Sequence, residues 1–192
     1  LFTPVFTEDF DGLTPGTTGT QADTGLGLTA NATLAGWTSE GSGDLHAVNL
    51  DGSGNWAIMF FQDNVMTLST GIDANETGVT YNVEFDYGTG TYAGTNQATT
   101  ADDGLLIEVL RGNGSVLAST NVAPGAWSSD NYNLDAGHHG VLPYMGDGSG
   151  YVRLRVGPTP PYDSGRFEGS IDNLSITIPP PPPPAGSVFV VR

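Results

Sequence analysis

"TYNVEFDY", residues 80 to 87, is the stretch whose reading decides the fold class. Tyr81, Val83, Phe85 and Tyr87 alternate with Asn82, Glu84 and Asp86. That is the period of a β-strand with one face on a core and the other in water. Helical periodicity is missing almost everywhere, and with 28 glycines few windows of helix length escape one.

Working outward, "LLIEVLR" (105 to 111), "GNG" and "SVLAST" (115 to 120) read as two strands around a glycine-rich turn. The first is apolar on nearly both faces, which predicts a place inside a sheet. Further strands are predicted at 5 to 10, 45 to 50, 56 to 61, 65 to 68, 127 to 134, 150 to 156 and 171 to 178, punctuated by "DGSG", "GDGSG" and "GPTPP". Many short strands with regular turn chemistry predict an all-β antiparallel sandwich. The stretches 11 to 35, 88 to 103, 135 to 149 and 157 to 170 are then its rim loops, where binding usually resides.

At 192 residues the chain suits one domain with a tail. Twenty-one acidic residues face five basic ones, all arginine, for a net charge of −16. Nucleic acid and anionic membrane surfaces are therefore expected to be repelled. The chain has no cysteine, so it holds no disulfide and no thiolate ligand or nucleophile. A start at Leu1, no apolar run long enough to span a bilayer, and abundant Gly, Thr, Asn and Ser lead to an expected extracellular or cell-surface location without membrane insertion. Asn-x-Ser/Thr sequons begin at Asn31, Asn75, Asn113 and Asn173, and decide nothing in so Thr-rich a chain.

"HAVNLDGSGNWAIMFF", "TGVTYNVEFDYGTG" and "GRFEGSIDNLSITI" together resemble the secreted jelly-roll proteins related to carbohydrate-binding modules and galactose-binding-like domains, many of them bacterial surface proteins with C-terminal sorting anchors. The resemblance runs from about residue 6 to 178 and implies a jelly roll. It also implies a structural Ca2+ between an acid near the first strand and an Asp on the last. The matching residues are Glu8, Asp9 and Asp11 in "TEDFD", and Asp172 in "IDN". A hard cation takes six to eight oxygens, which clustered carboxylates and loop carbonyls at a sheet edge can supply. "DGSGNW" (51 to 56) is no EF-hand loop, because Trp56 stands where that loop needs glycine and Gln62 where it needs Glu.

A sugar platform uses exposed aromatic rings beside polar groups, and Tyr92, Trp127, Tyr132, Tyr144 and Tyr162 are the candidates. Catalysis finds less support. "EFDY" (84 to 87) resembles the acid-x-acid strand motif of retaining β-glucanases, but Thr89 stands where the further Glu belongs. A retaining mechanism needs two carboxyls about 5 Å apart with separated pKa values, and Glu84 and Asp86 read as ordinary outward residues. His138 and His139 are adjacent in a predicted loop, and no serine elbow, P-loop or dinucleotide fingerprint is present. No catalytic residue is assigned, and the chain is expected not to be an enzyme.

The chain closes on "IPPPPPPAGSVFVVR", residues 178 to 192. Residues 179 to 184 form a polyproline II spacer, reaching roughly 19 Å at about 3.1 Å per residue. Residues 185 to 192 carry a short strand, Val188, Phe189, Val190 and Val191, apolar on both sides. Left in water, it would expose both faces and every backbone group. The leading expectation is therefore a non-catalytic subunit of an extracellular filament or surface matrix, passing this strand to a copy of itself as a homopolymer. The alternative is a carbohydrate-binding module that binds polysaccharide and is tethered through the spacer.

Overall fold

A computed structural model describes residues 3–14, 33–41, 45–49, 56–61, 63–88, 105–122, 139–159 and 167–180. All regular structure among them is strand. In chain order the elements are β1 (Thr3–Glu8), β2 (Trp37–Glu40), β3 (Leu45–Asn49), β4 (Trp56–Phe61), β5 (Val65–Leu68), β6 (Thr80–Gly88), β7 (Leu105–Arg111), β8 (Val116–Val122), β9 (His139–Met145), β10 (Val152–Pro158) and β11 (Phe167–Ile178). They form two antiparallel sheets packed face to face, an all-β jelly-roll sandwich as predicted.

The first sheet has the order β3-β4-β11-β6-β9, and β1 pairs with the far half of β11. The second has the order β2-β5-β10-β7-β8. The alternation of "TYNVEFDY" works as read: Tyr81, Val83 and Phe85 are buried and Asn82, Glu84 and Asp86 are not. Ile171, Leu174 and Ile176 of β11 join them from the adjacent strand. Facing them, Leu105, Ile107 and Val109 of β7 and Val152, Leu154 and Val156 of β10 complete one core. β7 does lie inside its sheet, between β10 and β8.

Two strands depart from the sequence expectation. β9 lies within the predicted rim loop 135 to 149, hidden there by Gly140 and Pro143. Proline lacks the N–H of a ladder and is tolerated on an edge strand, and β9 is the edge of its sheet. His139 is correspondingly a strand residue, its Nδ1 3.0 Å from Asp86 Oδ1 on β6. β2, "WTSE", is short, polar and exposed, a common form for an edge strand and a weak signal in a sequence. The strand predicted at 127 to 134 lies outside the described residues, as do the spacer beyond Pro180 and the terminal strand Val188 to Val191.

Candidate functional site

On β10 the inward residues alternate with Arg153, Arg155 and Gly157, which occupy the outer face of the second sheet. Register sets Arg155 opposite Glu108 of β7 on one side and Thr67 of β5 on the other. Thr67 in turn faces Thr38, and Glu108 faces Ser119. A polar row thus crosses all five strands. One row on, towards the end of the sheet where Leu105 lies between Pro158 and Val122, a groove of about 400 Å³ opens.

Val65, Leu106, Gly157 and Pro158 supply its apolar surface, and Glu40, Asp63, Glu108 and Arg155 its charge. Gly157 is needed for that shape, since a Cβ there would stand 2.9 Å from Val65 Cγ2. Glu108 is only 7% exposed, and its carboxylate accepts a hydrogen bond from Arg155 Nε. A buried carboxylate is costly unless paired in this way. Aliphatic surface beside fixed charged groups, in a cleft of this volume, is the general form of a small-molecule or saccharide site.

The sequence did not single out any of these residues. A signal was available in "YVRLRVG", where two of the five arginines share one face of a strand, and in the lone acid of "LLIEVLR". It became a site only when strand order put β10 beside β7.

Of the five aromatic candidates, the structure overturns Tyr144. Its ring is 5% exposed and stacks on Tyr81 at 5.2 Å between centroids. Its hydroxyl donates to Ala74 O at 2.7 Å, and burial, followed by the neighbouring Tyr81, pushes its pKa up. It is a core residue with one satisfied polar atom and has no open face for a sugar. Tyr92, Trp127, Tyr132 and Tyr162 lie outside the described residues.

The acidic residues gather around the bulge in β11. Asn173 has φ 48° there and Phe10, just after β1, has φ 57°. Both are left-handed positions that ordinary residues adopt at some cost. Glu8 is drawn away from the others: Oε1 accepts from Phe10 N and Oε2 from Trp37 Nε1, each at 3.0 Å. Asp9 caps the N–H of Asp11, and Asp11 Oδ1 also accepts from Trp56 N at 3.1 Å. Asp172 is 3% exposed. Burial pushes its pKa up to about 7; the bond from Asn173 N opposes this, and the charges of Asp86, Asp11 and Asp9 add to it. Among the described residues, no three His, Asp or Glu side chains stand close enough together to hold a metal ion. The predicted four-carboxylate set is therefore not assembled as a coordination shell. Asp172 is buried there, and the charges of Asp86, Asp11 and Asp9 act on it.

No family model matches the chain, and no curated protein matches it in sequence. Solved structures do match. The CBM22-1–CBM22-2 tandem domain of Paenibacillus barcinonensis Xyn10C is 16% identical, with a TM-score of 0.51 over 97% of this chain and 49% of that one. The CBM22-1 xylan-binding domain of the same Xyn10C is 16% identical, with a TM-score of 0.47 over 92% of this chain and 95% of that one. TmCBM61, solved in complex with β-1,4-galactotriose, is 14% identical, with a TM-score of 0.48 over 76% of this chain and 90% of that one. The chain spans about half of the tandem, and only 28% of a Clostridium thermocellum xylanase chain carrying CBM22-1 and GH10 modules. At these identities the likeness shows the fold alone, the jelly-roll sandwich of carbohydrate-binding modules.

Proposed function

We propose that the chain is a non-catalytic, extracellular carbohydrate-binding module that holds a polysaccharide across the outer face of its second sheet. The observation that carries this reading is the groove, where Glu40, Asp63, Glu108 and Arg155 stand around the aliphatic surface of Leu106 and Pro158. Carboxylates accept and guanidinium groups donate hydrogen bonds, which suits the dense hydroxyls of a sugar. The fold shared with the CBM22 tandem supports the same reading. Glycan-array binding, followed by titration of Glu40→Ala and of Leu106→Trp, tests it. Both substitutions should lower affinity, the first by removing an acceptor and the second by filling the groove.

The strand-donation reading rests on Val188 to Val191, outside the described residues, and no comparison supports it. The calcium reading keeps one support. Asp172 is buried among Asp9, Asp11 and Asp86, and a divalent cation between β1 and β11 would relieve that repulsion. Glu8 already accepts one hydrogen bond at each oxygen, from Phe10 N and Trp37 Nε1, and each oxygen keeps a lone pair for a cation.

A further inference from the structure

Tyr151 immediately precedes β10, and alternation with the buried Val152 places it on the same outer face as Arg153, Arg155 and Gly157. It is 49% exposed, unusual for a large ring in a sandwich. Its seat explains the exposure. The pairing of Val152 with Arg111 of β7 puts Gly112 beside Tyr151, and Gly71, next to the bridge partner Ile72, lies against the ring from the other side. A Cβ at Gly71 would stand 2.4 Å from the tyrosine Cγ, and one at Gly112 would stand 3.1 Å from its Cζ. The ring therefore lies against bare backbone at Gly71, where any side chain would displace it, and in close contact with Gly112, where a side chain would crowd it. The side against the two glycines is packed, and about half of the residue's surface is left exposed.

Between this ring and the groove stand the two arginines of β10. Arg155 is paired to Glu108. Among the described residues, the buried Nε of Arg153 meets no hydrogen-bond acceptor. Six residues of extended chain separate Tyr151 from Gly157, about 20 Å at roughly 3.3 Å per residue. The face thus presents an aromatic ring, the two arginine side chains and a polar, apolar-floored groove in one line along a single strand.

We infer that Tyr151 is a sugar-stacking subsite at the far end of the groove's face, so that the ligand is an extended glycan several units long. The apolar C–H face of a pyranose packs on the open face of the ring, and its hydroxyls reach Arg153. The rigid seat on Gly71 and Gly112 lowers the ordering cost of that contact. This inference rests on the glycan-binding reading of the groove and adds to it a second end and a minimum length.

The test is titration of β-1,4-linked xylo-, cello-, manno- and galacto-oligosaccharides, from disaccharide to hexasaccharide, against the full chain. Affinity should climb with length, and Tyr151→Ala should weaken the hexasaccharide by roughly tenfold or more, with a loss that grows with ligand length. Tyr151→Leu, which retains packing on the two glycines, should show the same loss. In the wild-type protein the Tyr151 ring resonances should move with the hexasaccharide. A hexasaccharide that binds both variants as it binds wild type, and leaves those resonances unmoved, overturns the subsite. If Glu40→Ala still weakens binding in that case, the groove reading survives. If no member of the panel binds the wild-type chain, the reading and the subsite both fall.

Discussion

Arg155 and Glu108 face each other in register across β10 and β7, and the guanidinium Nε donates to a carboxylate that is almost wholly shielded from water. The pair lies in the interior of the second sheet, on the face opposite the core. It fixes the middle of the polar row that leads into the groove.

Removing one partner should therefore cost more than removing both. Arg155→Ala leaves Glu108 shielded and without this donor, and should lower stability by roughly 2–4 kcal/mol in denaturant unfolding at neutral pH. The double variant Arg155→Met with Glu108→Leu should recover most of that loss. A double variant whose loss equals the sum of the losses of Arg155→Met and Glu108→Leu measured singly would show that the pair is not coupled.

Asp172 gives a pH dependence of defined sign. Its folded pKa of about 7 lies above the ordinary 3.8. Between those values the folded chain holds a proton that the unfolded chain has released. The contribution to stability is therefore fully present below about pH 4 and is lost as pH rises through 7. In chelator, Asp172→Asn should remove much of that decline and leave the variant more stable than wild type at about pH 8, by roughly 2–4 kcal/mol. Added calcium should raise the wild-type melting temperature at that pH and leave Asp172→Asn nearly unmoved. A wild-type melting temperature indifferent to calcium and chelator removes the ion from the account.

Tyr144 should behave as core. Tyr144→Phe loses the hydroxyl bond to Ala74 O and leaves that buried carbonyl unmet, at a cost of roughly 1–2 kcal/mol. Glycan affinity should be unchanged. A binding defect at wild-type stability would return Tyr144 to the list of sugar contacts.

Asn75 should carry no glycan when the chain is expressed in a glycosylating host. It is 3% exposed, and its Nδ2 donates to Asp147 Oδ1 and Ser149 Oγ. Mass spectrometry of the intact fold should find that sequon empty. Occupancy there would mean that the loop opens before modification.

The sandwich was legible because its central strands carry their environment in their own alternation. Tyr81, Val83 and Phe85 are a case in point, and Leu105 to Arg111 reads as interior for the same reason. β9 was not legible, since Pro143 and Gly140 signal a turn locally and only an edge position reconciles them with a strand. The candidate site escaped for a related reason. Glu40, Asp63, Glu108 and Arg155 lie on four separate segments, and nothing local to any of them reports that β2, β5, β10 and β7 are neighbours. Tyr151 was hidden too, because its seat depends on Gly71 and Gly112 being brought to either side of it. The bond that Glu8 accepts from the Trp37 indole could not be read in sequence, because it depends on β1 and β2 being brought together.

The most direct test of the central claim is calorimetric titration of the oligosaccharide panel into wild-type chain and into Leu106→Trp, whose indole would fill the groove. Wild type should bind at least one neutral β-1,4 hexasaccharide saturably, and the variant should bind it at least roughly tenfold more weakly. Equal affinity in the two proteins, with the fold of the variant intact, would contradict it.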